Sequence, residues 1–322
     1  MLTGAQQTAR ADTLGSSDAP VVVGVSPYQS ARELYHKMRG DLPRYTDEDT
    51  HAQRIGSRLE PVIAQLCAEE LGLKIRRSAP RRSRRVAWMS ANLDFEIVHH
   101  PRGPGVLEIK NRSGCEPWDH IPDDIEIQVR HQLAVTERAW GLVAVLFQFG
   151  AIHTYPVERD AEMETDLVAI EGRFMRAVAE GTPPDLQWDA QGVELLRRLH
   201  PRDTGRQITL DAHYADVAAR LEAARMNAKD AEADKSTAAA ELMAAMGDAS
   251  EAEIPGFGSL TWKCTKAGHG FDEGAFKLSN PDLWAQYQRV RPGYRVLRLK
   301  PQKEEPHESP RQTGAGDTGS GL

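Results

Sequence analysis

The sequence predicts an α/β fold. A mixed central sheet is flanked by helices, and an appendage of one long helix and a small β element follows it. Three observations predict this. Short apolar runs, Leu93 to Val98 and Val106 to Ile109, flank a Pro/Gly-rich turn at Pro101 to Gly105, which is a hairpin pattern. Helix-period apolar stripes occur before and after it, through Ile63 and through Val129. A run apolar throughout, Leu142 to Phe149, reads as a central strand buried on both faces.

Residues 1 to 9 read as a loose leader. Leu14 to Val23 starts a short helix with Ser16, Ser17 or Asp18 as N-cap, and Pro27-Tyr28 breaks it. Ser30 caps a helix over Ala31 to Arg39. The acidic stretch Thr46 to Asp49 suits the front of a longer helix, whose stripe is Ile55, Leu59, Val62, Ile63, Leu66 and Cys67. Glu60 sits beside that stripe with Pro61 after it. Either a new helix starts near Leu59, with Glu60 a solvated first-turn acid, or a kink aims Glu60 at something. Lys74 to Arg85, KIRRSAPRRSRR, is basic at seven of twelve residues. It precedes the strand leading to Asp94, so Arg81, Arg82, Arg84 and Arg85 are candidate DNA-phosphate contacts; the plain alternative is a solvated loop. Val86 to Met89 reads as a strand. After the hairpin, Arg112 to Asp124 is a loop in which Trp118 is a core lid or a base-stacking platform. Ile125 to Trp140 is a helix, Ala151 to Val157 pairs with the central strand, and Glu162 to Ala179 closes the layer.

Composition changes past Pro184, so the sequence divides into 1–185, an accessory region 186–300 and a Pro/Gly/Ser/Glu-rich tail 301–322 that reads as disordered. Leu210 to Met246 is a long Ala-rich helix with a thin apolar seam, the kind that packs against a partner or another helix, so the appendage is expected to govern self-assembly as a homo-oligomer or contact with a partner. Short strands are expected around Leu260 to Trp262 and from Tyr294 to Leu299. The 322 residues suffice for a sizeable core, and the net charge of −7 excludes a uniformly basic coat but not a local basic groove. Cys67, Cys115 and Cys264 lack metal-ligand spacing, which fits reduced thiols in a cytoplasm. No run approaches a membrane span, and no GxxxxGK loop suggests an ATP-driven motor.

The chemistry lies in the hairpin. Asp94 comes from its first arm, and Glu108 and Lys110 share one face of its second. Two carboxylates can hold a hard cation, and an ammonium beside them can orient or activate a water. A solvated edge hairpin is the plain alternative for so short a pattern.

Six segments in order resemble the YqaJ-like viral recombinase family, relatives of the phage lambda exonuclease among the PD-(D/E)xK nucleases. They are LGSSDAPVVVGVSPYQSARELY, GSRLEP, the pair NLDFEI and LEIKN, W-x-x-IP at Trp118 to Pro122, QVRHQLAVT at Gln128 to Thr136, and FMRAVAEGTPP at Phe174 to Pro184. The family usually has Pro-Asp at the first acid, where Asn92-Leu93-Asp94 stands here. The resemblance implies a restriction-endonuclease-like core and a phage-type exonuclease that resects double-stranded DNA ends from 5′ to 3′ in a bacterial host. The other strand passes to a RecT-like single-strand annealing protein. It implies Mg²⁺, with Mn²⁺ able to substitute, held by Asp94, Glu108 and the carbonyl of Ile109. Glu60 would serve a second ion or its water, Lys110 the nucleophile, and Gln128 would approach that lysine; Gln132 and His131 rank behind it. Arg10 and Ser17 match an Arg–Ser pair that grips the 5′-phosphate, although Ser16 competes with Ser17 for that match. The alternatives are a RecB-like or endonucleolytic relative, and a non-catalytic DNA-binding assembly protein.

Overall fold

The computed structural model describes residues 12–44, 50–112, 114, 116–148, 150–290 and 293–300. The expected leader, the acidic stretch Thr46 to Asp49 and the tail from 301 lie outside them. Contacts divide the chain into two units, Met1–Pro201 and Arg202–Leu322.

The first unit begins with α1 (Ala19–Val23) and α2 (Ala31–Arg39). The helix expected from Leu14 starts only at Ala19. Leu14 instead bridges Met89, donating its N–H to the Trp88 carbonyl, and Asp18 accepts the N–H of Gly15 in a tight turn. Helix α2 is capped by Ser30 as expected, its hydroxyl accepting the N–H of Glu33.

Helix α3 (His51–Leu71) opens with a capping box between Thr50 and Gln53 and runs unbroken through Pro61. No second helix starts at Leu59. The proline removes one interior hydrogen bond. Its buried residues are Ile63, Ala64, Cys67 and Ala68. The expected stripe is therefore rotated: Ile55, Val62 and Leu66 are exposed, and small alanines take the close-packed positions.

The sheet has five strands in the order β1 (Lys74–Arg76), β4 (Phe95–His99), β5 (Gly105–Arg112), β6 (Trp140–Phe147), β7 (Ile152–Glu158). All neighbours are antiparallel except β5 and β6. A parallel pair needs a crossover, and α4 (Asp123–Thr136) supplies it. The sheet is therefore mixed and flanked by helices, as the sequence predicts. Helix α4 ends at Thr136, short of the expected Trp140, because Trp140 already starts β6. Beyond the expected strands, the basic stretch itself carries two. Lys74–Arg76 is the edge strand, and β2 (Arg81–Arg82) pairs with β3 (Ser90–Ala91). The strand expected over Val86 to Met89 is a turn, closed by the Ser83 hydroxyl accepting the N–H groups of Arg85 and Val86.

Alternation on β5 gives each face a core. Leu107 and Ile109 pack with Ile63, Cys67 and Leu142 toward α3. Val106 packs with Val129, Leu133 and Val143 toward α4. Glu108 and Lys110 lie on the face of Val106. Gly105 starts β5 hard against Trp140, where an added Cβ would sit 2.8 Å from the indole. Trp118 is a core lid: it packs edge-on to Phe147, and its backbone bonds the Tyr155 hydroxyl.

Helix α5 (Ala161–Glu180) closes the layer, and α6 (Ala190–Leu199) follows. The first unit extends past Pro184 because Arg198 bonds Glu33 and Gln191 reaches the Pro27 carbonyl. The second unit contains α7 (Tyr214–Met246), a hairpin of β8 (Glu251–Ile254) and β9 (Gly258–Thr261), then α8 (Glu273–Ser279) and α9 (Pro281–Tyr287). No strand forms over 293–300, and β9 pairs with β8. No helix among the described residues is long and apolar enough to cross a membrane.

Candidate active site

Strand β5 positions Glu108, 2% exposed, facing helix α4. Lys110, two residues on, donates to Glu108 Oε1 at 2.6 Å and to Gln128 Oε1 at 3.1 Å. Gln128 Nε2 donates to the same Glu108 oxygen at 2.7 Å. Gln132, one helical turn further along α4, donates to Glu108 Oε2 at 2.7 Å. One carboxylate thus gathers an ammonium and two amides.

Asp94 sits at the entrance to β4, not within it, and its Oδ2 accepts the N–H of Ile109 at 2.8 Å. Burial pushes the Asp94 carboxyl well above its ordinary range, and repulsion from Glu108 and Glu60 adds to this; Lys110 and the Ile109 N–H oppose it only in part. Burial also raises Glu60, with Arg77 and Lys110 opposing and Glu108 adding repulsion. Glu60 and Lys110 line one cleft of about 420 Å³ with Ile55, Ile109 and Asn111. Burial alone would depress Lys110, but Glu108 and Asp94 outweigh it and raise the ammonium above its usual value. It is therefore charged at neutral pH.

Three carboxylates from α3, the approach to β4 and β5 thus share a field with one lysine. They offer oxygen only, the chemistry of a hard-cation site. Among the described residues no three His, Cys, Asp or Glu side chains cluster tightly enough to hold a metal alone. An ion held here would need further oxygens beside these side chains, from water or the main chain. The repulsion that Glu108 and Glu60 exert on Asp94, and the second lone pair left on Glu108 Oε2, fit such an ion.

Residues 7–139 match the family model of the YqaJ-like viral recombinase domain. Over these residues the chain is similar to the YqaJ-like viral recombinase domain. The uncharacterized protein YqaJ of Bacillus subtilis (strain 168) is 28% identical over 195 residues, which is 58% of this chain and 60% of that protein. The match thus spans less than two thirds of that relative's length. Among solved structures, the alkaline exonuclease LHK-Exo of Laribacter hongkongensis aligns with TM-score 0.46 and 16% identity, over 54% of this chain and 92% of that one. A putative exonuclease from Eubacterium rectale aligns with TM-score 0.43 and 11% identity, over 65% and 96%.

Arg10 is outside the described residues. Ser17 is exposed, whereas Ser16 is 2% exposed. Arg81 is held at 2.6 Å by Glu96, itself 1% exposed, together with Arg76 and Arg138. Burial alone would raise Glu96, yet these arginines hold it below its ordinary value. Arg85 pairs with Glu137 at 2.7 Å, and Arg82 and Arg84 are exposed. Arg76 and Arg81 thus pin buried Glu96, whereas Arg82, Arg84 and Arg85 are exposed. His131 does not reach Glu108: its ring lies between Glu171 at 2.7 Å and the Ser90 carbonyl at 3.0 Å. Gln132, ranked behind Gln128 in the sequence, contacts Glu108 as closely; the one-turn spacing of the two amides is the signal for it. Arg77 beside Glu60 was hidden among six other basic residues of its stretch.

Proposed function

We propose that the YqaJ-like domain is a metal-dependent exonuclease of the phage type that resects duplex DNA ends from 5′ to 3′. The observation that carries the reading is the Glu108–Lys110–Gln128 triangle beside Asp94, with Glu60 facing it across the cleft. Asp94, Glu108 and the Ile109 carbonyl would hold the ion, with Glu60 serving a second one or its water. When bound, Mg²⁺ or Mn²⁺ supplies charge for the phosphate oxygens and a water of lowered pKa. Lys110 lies close enough to orient the attacking water or steady charge on the phosphate. Gln128 fixes the ammonium, and Gln132 fixes the carboxylate, so neither reorganises on substrate binding. The single strand left behind would suit a single-strand annealing partner. The match of residues 7–139 to the viral recombinase family model supports the same reading.

Release of acid-soluble nucleotide from linear duplex tests it. The expected result is release with Mg²⁺ or Mn²⁺ and none in EDTA. Closed circular duplex should remain intact; its cleavage would make the enzyme an endonuclease. A 5′-phosphorylated end should react about ten times faster or more than a 5′-hydroxyl end if Arg10 and Ser17 hold that phosphate. Equal rates would remove the polarity, and no release with any divalent ion would remove the activity.

A further inference from the structure

Helix α7 spans 33 residues without a proline or glycine. From Val217 to Ala245, positions taken at alternating steps of four and three read Val, Leu, Ala, Ala, Ala, Lys, Ala, Leu, Ala. That is the spacing of a coiled-coil seam, mostly alanine and apolar at every position but Lys235. The seam is bare: only Leu221 on it is half-buried, and Val217 and Leu242 are 41% and 44% exposed. Among the described residues of this unit, Met246 is the sole large apolar side chain that is buried. A unit with so little core leaves its apolar surface for something else to cover.

We propose that α7 pairs with α7 of a second copy of this chain as an antiparallel coiled coil, about a two-fold axis near Lys229 and Asp230. Apart from Lys235, which meets the partner's Ala224, the helix is complementary to its own reverse. In that register Val217 meets the partner's Leu242, Leu221 meets the partner's Ala238, and Ala228 meets the partner's Ala231. The flanking charges obey the same register. Arg225 faces the partner's Glu232, Arg220 faces the partner's Glu241, and symmetry repeats each pair. A parallel pair would set Arg220 beside the partner's Arg225 and Lys235 against its own copy, so like charges oppose that arrangement. Alanine lets the backbones approach closely but buries little per layer, which leaves orientation to the charges.

The existing contacts of these side chains do not compete. Arg225 lies 3.7 Å from Glu222 and donates to the Leu297 carbonyl, and Lys235 pairs with Glu232 one turn away. These are exposed contacts of small weight, and a guanidinium has five donors.

The test uses the full chain and reads mass, not hydrolysis, so it stands apart from the nuclease reading. Light scattering on the wild type at micromolar concentration should give twice the chain mass. Arg220→Glu with Arg225→Glu should weaken self-association by about tenfold or more at low salt, as should Glu232→Arg with Glu241→Arg. Mixing the two variants should restore a dimer, which a misfolded variant would not do. A spin label at Leu242→Cys, with Cys115 and Cys264 changed to Ser, reports orientation. Antiparallel pairing separates the two labels by about 25 residues, on the order of 37 Å at 1.5 Å per residue. A monomeric wild type, undiminished dimers of either charge-reversed variant, failure of the mixture to associate, or labels within about 10 Å of each other would each overturn the proposal.

Discussion

At Glu108 every side-chain contact is a donor: Lys110 and Gln128 on one oxygen, Gln132 on the other. Lys110→Ala should lower kcat by about 10²–10⁴-fold while leaving DNA affinity largely unchanged, measured by nucleotide release and by anisotropy. Near wild-type turnover would leave the pair a buried structural ion pair. Gln132→Leu removes the donor to Oε2 and should reduce kcat and shift the Mg²⁺ requirement upward; an unchanged metal titration would leave Gln132 with a packing role only. Asp94 is a cost to the metal-free fold. Its native carboxyl binds a proton more tightly than the unfolded one, so this group's contribution falls as pH rises past the ordinary carboxylate range. Asp94→Asn should therefore abolish cleavage yet raise Tm in EDTA, by about 2–4 °C for each kcal/mol of repulsion relieved. It should also lose the Tm increase that Mg²⁺ gives the wild type.

Helix α4 serves two purposes at once. Gln128 and Gln132 reach Glu108, while His131 is locked between Glu171 and the Ser90 carbonyl, with neither the histidine nor the glutamate side chain exposed. Burial alone would lower the His131 pKa, but Glu171 outweighs it and raises it. The pair therefore contributes fully below the unfolded value of about 6.5, and that contribution is lost as pH rises through the native value. Glu171→Gln should cost about 3–5 kcal/mol and flatten the alkaline fall in stability, read by denaturant unfolding across pH. A cost under about 1 kcal/mol, typical of an exposed pair such as Arg102 with Glu158, would show that the histidine is neutral.

For the whole molecule, the exposed part of the basic stretch is the testable DNA surface. Replacing Arg82, Arg84 and Arg85 with Ala should weaken binding at all sequences and lower the log–log salt slope by roughly 0.9 for each phosphate no longer neutralised. An unchanged slope would make that stretch a solvated charge run. Arg81→Ala belongs to a different class, because it strips a partner from buried Glu96 and should reduce stability as well. Every proposed ligand precedes Pro201, where the first unit ends. A chain stopped there should keep its Mg²⁺-dependent rise in Tm. A folded truncation that ignores Mg²⁺ would refute that division.

Local chemistry made much of this legible in the sequence. The turn at Pro101 to Gly105, the period-two placement of Glu108 and Lys110, the Ser30 cap and the one-turn spacing of Gln128 and Gln132 are short-range properties, so the sequence by itself determined the hairpin, the acids on it and the helix facing it. Tertiary structure decided which partners these groups found. The stripe of α3 turned so that Ala64 and Cys67 pack against the sheet, since close approach favours small residues over Val62 and Leu66. Arg81 left the solvated set because Glu96 is buried within its reach. His131 turned away from the site toward Glu171, forty residues distant in sequence. Those outcomes depend on desolvation and on contacts between distant segments, which no spacing along the chain encodes.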